Sequence, residues 1–282
     1  MKQQHQINPV ARAVWFIEVH LADDLSLDSI AEAAGVTRFH LSRAFGLAMG
    51  CSVMRYVRAR RLTEAARVLA GGAPDILTVA LDAGYGSHEA FTRAFRDQFG
   101  QTPEAVRARG RVESLSLMES TTMSSDQTQP IAEPRIEQGK AMLIAGLQDH
   151  FAFEELGGLP ALWQRVRPML GHIDGQSGAV AYGVCFNTSD TGFDYIAGVE
   201  VAAGTRVAAD LASLSMAPQR YAVFTHIGHV SAVRGTFMAI FNDWLPQSGY
   251  RSADAAVFER YDQRFDPRTG MGGFEIWVPI TS

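Results

Sequence analysis

The spacing of apolar residues changes partway along the chain. From Val10 to about Arg109 they recur every three or four positions, which predicts amphipathic helices, and strand-like alternation is scarce. One uninterrupted helix is predicted over Val53–Ala70. After Pro134 the apolar residues form short runs rich in β-branched and aromatic types, which predict strands. The pattern therefore indicates an all-α part followed by a part that contains a sheet.

Two helical patterns interrupt the strand-like runs of the later part. They lie at Leu159–Leu170 and Ser231–Leu245, and the second carries an apolar stripe at helical spacing. The order strand, helix, strand, strand thus occurs twice. We predict an α+β fold of two βαββ units with antiparallel pairing.

Composition places the domain boundaries. Residues 113–133 are rich in Ser, Thr and Gln and hold few large apolar residues, so we expect a flexible linker there. The linker separates a predicted all-α domain over residues 1–112 from a predicted α+β domain over residues 134–282.

The chain's charge is divided unevenly between these parts. The whole chain is 47% apolar and 20% charged, as in globular proteins, with a net charge of −5. Residues 1–112 carry +3 and residues 113–282 carry −8, which hints at nucleic-acid contact on one side only. No apolar run reaches the roughly 18 residues of a membrane span, and the N-terminus lacks a secretory signal pattern, so we expect a cytoplasmic protein. Its two cysteines lack metal-ligand spacing, and we predict no cofactor and no metal.

One segment of the all-α part occurs twice. "GVTRFHLSRAF" at residues 35–45 returns as "GYGSHEAFTRAF" at residues 84–95, with Arg43 and Arg93 at an offset of 50. Each copy has a short helix, a glycine turn and a second helix with a polar face that we expect to be exposed, the plan of a helix-turn-helix. The intervening helix over 53–70 would span roughly 27 Å, of the order of one ~34 Å DNA turn. Either copy alone could be an ordinary helical hairpin, but two copies in register favour a DNA reader with two recognition helices.

Residues 8–109 resemble the DNA-binding domain of AraC/XylS-family transcription regulators. The most specific match is "FTRAFRDQFGQTP" at Phe91–Pro103, and "SLDSIAEAAGVTRFHLSRAF" and "RARRLTEAARVL" add to it. The resemblance implies base contacts from both recognition helices. The DNA-binding candidates are Arg38, Phe39, Ser42 and Arg43 in the first helix and His88, Glu89, Thr92 and Arg93 in the second.

The chemistry of these side chains suits base edges. Arginine can pair bidentately with guanine, glutamate can accept from cytosine N4, and an aromatic ring can pack on a thymine methyl group. Two candidates have structural alternatives: Phe39 could be a partly buried core residue, and His88 could cap its helix. A further set of arginines could contact phosphates: Arg55, Arg58, Arg60 and Arg61. Arg60 and Arg61 could instead simply be solvated helix charges.

Residues 134–280 resemble the GyrI-like, or effector-binding, domain. "YIAGVEV", "RYAVFTHIGHVSAVRGTFMAIFNDWLPQSGY", "FERYD" and "FEIWVPI" carry the resemblance. It implies a cleft between two βαββ units that binds bulky molecules, often cationic or aromatic. The ligand-binding candidates are Trp163, Tyr182, Phe186, Tyr195, Glu200, Tyr261, Glu275 and Trp277.

Alternation along the strands sorts some of these candidates. In "FEIWVPI", Glu275 and Trp277 share a face, where a carboxylate beside an indole could hold a cation. Tyr195 and Glu200 fall on opposite faces of one strand, so at most one of them is expected to line the cleft unless the strand bulges.

Several residues of this part keep alternative interpretations. Trp163 could pack in the core, and Glu275 could be an exposed edge carboxylate. Glu259 is at least as well explained by a surface role as by a ligand role. The pair of imidazoles in "HIGH", His226–His229, is explained at least as well by a strand-end loop as by a zinc site.

The sequence therefore predicts a non-enzymatic transcription regulator. We expect it to bind double-stranded DNA and a small-molecule effector, and it could recruit RNA polymerase. One alternative is a hydrolase in which Glu200 and Glu275 activate water on a strained electrophile, although no nucleophile–base motif is present. Another is a protein that sequesters toxic molecules.

Overall fold

The computed structural model of the chain describes residues 8–120, 131–189 and 191–282. The predicted linker lies partly outside the described residues, at 121–130, as does the start of the predicted first domain, at 1–7. Among the described residues, no helix combines the length and the apolar character needed to cross a membrane.

The chain forms two compact units whose boundaries interrupt the helical part. One unit combines Ala11–Ala34 with Val53–Met123, and the other combines Gly35–Ser52 with Ser124–Ser282 and Met1–Val10. The segment that contains the first predicted recognition helix therefore groups with the sheet-containing part of the chain, which the sequence did not lead us to expect.

The helices before the sheet agree closely with the pattern of apolar residues. They are α1 (Pro9–Val19), α2 (Leu27–Ala34), α3 (Arg38–Met49), α4 (Val53–Ala70), α5 (Ile76–Asp82), α6 (His88–Phe99) and α7 (Pro103–Arg109). The prediction of one helix over Val53–Ala70 is confirmed.

The core of the helical unit is built mainly by α4, α5 and α6. Leu62 and Leu69 of α4 are buried in one cluster with three phenylalanines of α6 at four-residue spacing, which places them on one helix face: Phe91, Phe95 and Phe99. The first part of the predicted linker is also packed, because Leu115 joins this cluster and the Met118 backbone N–H donates to Thr63 Oγ1 at 3.0 Å.

The sheet-containing unit holds ten strands and three further helices among its described residues. The strands are β1 (Arg135–Gly139), β2 (Met142–Ala152), β3 (Gln176–Phe186), β4 (Gly192–Val201), β5 (Ala212–Met216), β6 (Gln219–His229), β7 (Arg251–Ser252), β8 (Val257–Tyr261), β9 (Phe265–Asp266) and β10 (Met271–Thr281). The helices are α8 (Leu159–Val166), α9 (Val233–Ala239) and α10 (Leu245–Gln247), and a π-helical turn over Ile240–Trp244 joins the last two.

The strand order confirms two βαββ units with antiparallel pairing. The order across the sheet is β1-β6-β10-β8-β3-β4-β2-β5. One half contains β2, α8, β3 and β4, and the other contains β6, α9, β8 and β10. The halves meet where β3 pairs with β8 (Val184 opposite Phe258), so each half repeats the other about this central pair.

Two short connections force this sheet to curl. β5 and β6 stand six positions apart, which in a flat sheet would separate them by about 29 Å. Only Ala217 and Pro218 join them, a link that reaches about 11 Å at most. Lys140 and Ala141 likewise join β1 to β2 near opposite edges. The two edges must therefore approach each other.

The curl gives the sheet an inner and an outer face. Met216 of β5 and Tyr221 of β6 belong to one buried cluster, so the side chains of this cluster define the inner face. The opposite, outer face is covered by α8, whose Leu162 and Val166 pack with Tyr195 and Ala197 of β4.

Candidate nucleic-acid interface and effector site

Helix α6 is positioned by capping at both ends. Ser87 Oγ accepts from the Ala90 backbone N–H at 3.2 Å, and Gly100 ends the helix with φ of 67°, which glycine adopts without strain. The buried phenylalanine face fixes the rotation of the helix about its axis. The opposite face is therefore directed away from the core of the unit.

The outward face of α6 carries the predicted base-reading side chains. His88, Glu89 and Arg93 are exposed, and Thr92 is half-buried. His88 Nε2 donates to Glu104 Oε1 of α7 at 3.1 Å, and Ser87 rather than His88 caps the helix. Within the described residues, the Arg93 guanidinium makes no hydrogen bond and no ion pair. An unengaged guanidinium on a protruding helix can form bidentate hydrogen bonds with a base.

The expected exposure of the polar face of α3 is wrong in this structure. Ser42 is 4% exposed and Arg43 is 9% exposed. The reason is that this face packs within the sheet-containing unit, where Arg43 Nη2 donates to the Ala255 carbonyl at 3.3 Å. The other two candidates on this helix are more accessible: Arg38 is exposed, and its guanidinium lies 4.8 Å from the ring centre of the half-buried Phe39.

The arginines of α4 do not form one solvated or phosphate-facing set. Arg60 is 5% exposed and is held by two carboxylates and a backbone carbonyl. Arg61 donates to the backbone carbonyls of Leu21 and Asp23. Arg55 and Arg58 are exposed. The phosphate-contact prediction is therefore retained for Arg55 and Arg58, while Arg60 and Arg61 hold the helical unit together.

The inner face of the sheet is lined by aromatic rings from both halves. The Phe258 ring stacks on Trp277 with centres 5.1 Å apart, and Tyr221 meets each of these rings edge-on at 5.2 and 5.6 Å. Tyr182 lies 6.1 Å from Phe258, and Phe186 packs at the margin of the cluster. A flat or bulky aromatic ligand would meet rings on several sides here.

Two carboxylates share this inner face with the aromatic rings. Glu275 is 6% exposed, and it accepts from Trp277 Nε1, Arg135 Nη2 and Arg264 Nη2, each at 3.1 Å. Burial raises the pKa of the Glu275 carboxyl, but these donors outweigh burial and leave its pKa below the ordinary value. Glu200 lies opposite Ile144 and pairs with Lys140 Nζ at 2.6 Å. The lowered pKa keeps Glu275 ionised, and both carboxylates are paired with cationic side chains.

The remaining predicted ligand residues lie on the outer face. Trp163 Nε1 donates to Tyr195 Oη at 3.0 Å, and Tyr195 Oη and Tyr261 Oη both donate to Glu259 Oε2 at 2.9 Å. Glu259 is 9% exposed, and burial raises the pKa of its carboxyl above the ordinary value despite these hydrogen bonds. A Cβ at Gly183 would lie only 1.9 Å from Tyr195 Oη, so glycine makes room for the cluster.

The structure thus separates the eight predicted ligand residues into two groups. Tyr182, Phe186, Glu200, Glu275 and Trp277 share the inner face, whereas the outer face takes Trp163, Tyr195 and Tyr261.

Sequence reasoning missed two important neighbours, Tyr221 and Phe258, which complete the inner aromatic cluster. The surface role considered for Glu259 is wrong, because this carboxyl is buried in the outer cluster. The alternation of "VFERY" was the available signal, because it places Phe258 on one face and Glu259 with Tyr261 on the other.

The "HIGH" segment has a structural explanation. His226 is buried at the end of β6 and hydrogen-bonds to Thr236 of α9 at 2.8 Å, and His229 hydrogen-bonds to Ser231. Among the residues the structure describes, no group of three or more His, Cys, Asp or Glu side chains could hold a metal ion.

Two family models match the chain. Residues 132–281 match the GyrI-like small molecule binding domain, and residues 30–109 match a helix-turn-helix domain.

Curated relatives resemble parts of the chain. The right origin-binding protein of Escherichia coli strain K12 is 44% identical over 94 residues, which cover 33% of this chain and 32% of that protein. The probable transcription factor PqrA of Proteus vulgaris is 40% identical over 31% of this chain and 72% of its own length. The transcriptional regulator BrlR of Pseudomonas aeruginosa is 31% identical over 52% of this chain and 54% of its own length. The chain therefore spans about a third of the length of the first curated relatives it matches.

Proposed function

Because the chain belongs to the GyrI-like family and carries an AraC-type helix-turn-helix domain, we propose that it is a DNA-binding transcription regulator controlled by a small molecule. The names of its relatives, which include a transcription factor and an origin-binding protein, support this proposal. It implies a cytoplasmic location with access to DNA, and RNA polymerase as a further partner.

The outward face of α6 carries the DNA-binding part of the proposal. Arg93 is exposed and unengaged, Glu89 lies on the same face, and the helix is held rigidly from behind by its phenylalanines. The Arg93 guanidinium offers two N–H donors to one guanine, and the Glu89 carboxylate can accept a hydrogen bond from cytosine N4. A short capped helix with such a face fits the major groove.

The inner face of the sheet carries the effector part. Aromatic rings next to the carboxylates of Glu200 and Glu275 favour a ligand that is both aromatic and cationic. Such a ligand would replace the arginine or lysine partners of the carboxylates. The proposed effector is therefore a bulky organic cation.

A duplex selected from a random pool by the full chain tests the DNA-binding part. We expect Arg93→Ala to weaken binding to the selected duplex by about 1–3 kcal/mol, the value of one bidentate base contact. Arg268→Ala is the matched control, because Arg268 is an exposed arginine on the loop between β9 and β10. Equal losses in both variants, or no selected sequence at all, would refute the proposal.

A further inference from the structure

One face of α3 is bonded to the sheet-containing part along its whole length. Thr37 Oγ1 donates to the Ser252 carbonyl at 3.5 Å, and His40 Nε2 donates to the Phe241 carbonyl in the π-helical turn. Arg43 donates to the Ala255 carbonyl, and one turn later the Leu47 carbonyl accepts from Arg234 Nε of α9 at 2.8 Å. These positions recur every three or four residues, so they form a single docking face.

The same face is also packed closely. A Cβ at Gly46 would lie 2.2 Å from Cδ1 of the Phe153 ring, so only glycine lets the helix backbone approach this ring. Glycine within a helix is unfavourable relative to alanine. The close approach to Phe153 gives a reason for glycine at this position.

The docking face coincides with the predicted DNA-reading face. Arg43 is the counterpart of Arg93 in the repeat, and Ser42 and Arg43 are buried in the docked state. A side chain that donates to Ala255 inside the protein cannot at the same time reach a base edge. DNA and the sheet-containing part therefore require the same surface.

The docked state leaves polar groups unsatisfied. Among the residues that the structure describes, no hydrogen-bond partner reaches the buried atoms Arg43 Nε and Nη1, Ser252 Oγ and Asn242 Oδ1. A buried polar group without a partner destabilises the docked arrangement relative to a solvated one. Burial also lowers the pKa of Arg43, which reports the same unfavourable surroundings for its charge. The docked contact is thus specific in shape, and release of α3 would relieve the cost of these buried polar groups.

We infer that α3 exchanges between two partners, the chain's own sheet-containing part and DNA, so that docking competes with recognition at the first half-site. The inference rests on the proposed DNA-binding function. Helix α6 reads DNA in either state, while α3 does so only after release. Full specificity therefore requires undocking.

Removing a docking contact that plays no part in DNA reading tests this competition. Arg234→Ala deletes the bonds to Leu47 and leaves every predicted base contact in place. We expect it to lower the Kd for the selected duplex about two- to tenfold, since a hydrogen bond of this kind contributes about 0.5–1.5 kcal/mol. Arg268→Ala, which removes the same charge from an exposed loop, should leave the Kd equal to or slightly above that of the parent.

The native thiol of Cys185 reports docking directly. Cys185 is only partly exposed, and the electrostatic interaction of its thiol with Arg43 indicates that it lies near docked α3, so release of α3 should expose it further. We expect saturating duplex to accelerate maleimide labelling at Cys185, as read by peptide mass spectrometry. Gly46→Leu, which cannot fit against Phe153, supplies the labelling rate of the undocked helix.

The outcomes separate the two proposals. The competition is refuted if the duplex leaves the rate of Cys185 labelling unchanged while Gly46→Leu accelerates it. It is also refuted if Arg234→Ala binds DNA with the same Kd as the parent. In both cases DNA binding through Arg93 stands. If no variant shows binding that depends on Arg93, the proposed function fails first.

Discussion

Arg60 of α4 donates two parallel hydrogen bonds to Glu18 of α1, from Nε to Oε1 at 2.8 Å and from Nη2 to Oε2 at 2.7 Å. The same guanidinium also donates to Glu64 Oε1 and to the Met118 carbonyl, both at 3.0 Å. One side chain thus joins α1, α4 and the segment that leaves the helical unit.

Removing this guanidinium should destabilise the helical unit. We expect Arg60→Ala to lower the free energy of unfolding by about 3 kcal/mol, because it leaves the partly buried Glu18 carboxylate without its ion-pair partner. Urea denaturation monitored by circular dichroism measures the change. Arg58→Ala, on the exposed side of α4, is the control and should change stability by less than about 0.5 kcal/mol.

The buried carboxyl of Glu259 should make stability fall as pH rises. Its pKa is raised in the folded state, so the folded protein keeps a proton that the unfolded chain releases above its pKa near 4.5. We expect Glu259→Gln to gain stability over the parent with increasing pH, by about 1 kcal/mol per pH unit above 4.5 until the folded pKa is reached. Melting curves between pH 4 and 8 test this, and parallel profiles for parent and variant would contradict it.

Glu275 should show the opposite dependence. Its pKa lies below the ordinary value because Trp277, Arg135 and Arg264 stabilise the ionised form. It therefore stabilises the fold above the unfolded pKa, and this contribution is lost as pH falls through the folded pKa. Glu275→Gln should be less stable than the parent at pH 7, by about 1–3 kcal/mol, and should approach it at pH 3. A difference that persists undiminished at pH 3 would point to packing instead of charge.

The inner face should discriminate ligands by charge. Calorimetry with methyltriphenylphosphonium and with the uncharged triphenylphosphine oxide compares two compounds that each carry three phenyl groups on phosphorus and differ mainly in net charge. We expect the cation to bind more tightly, and Trp277→Leu to weaken it about 3- to 30-fold through loss of the cation–π contact. Trp163→Leu, on the outer face, should stay within about twofold of the parent. A larger effect at Trp163 would move the site to the outer face.

Glu89 should specify a base. Its carboxylate is exposed on the same face of α6 as Arg93, where it can accept from a cytosine amino group. Selection of duplexes with Glu89→Ala should therefore relax the preference at one base pair, by about 1–3 kcal/mol, and retain the rest of the selected sequence. Uniform weakening across all sequences would instead assign Glu89 an indirect role.

The sequence predicted the local features of this protein well because local causes determine them. The extent of α4, the two βαββ units and the sorting of Glu275 from Ile276 all follow from periodicity. The docking of α3 could not be predicted, because Arg43 contacts Ala255 and Gly46 packs against Phe153, and both partners are more than a hundred residues away in the sequence. The placement of Trp277 on the inner face and of Tyr261 on the outer face has a similar cause. Both are aromatic residues in strands, and only the pairing register between the strands determines which face of the sheet each side chain occupies.

The two-residue connections that hold the sheet edges together also limit how the protein can accommodate a ligand. The connections Ala217–Pro218, between β5 and β6, and Lys140–Ala141, between β1 and β2, are too short to let the strands that they join move apart. Room for a visiting molecule must therefore come from rotation of individual rings such as Trp277 and Tyr221. The range of compound sizes that can bind would then be set by how far a few side chains can rotate, and a longer connection between β5 and β6 would broaden it.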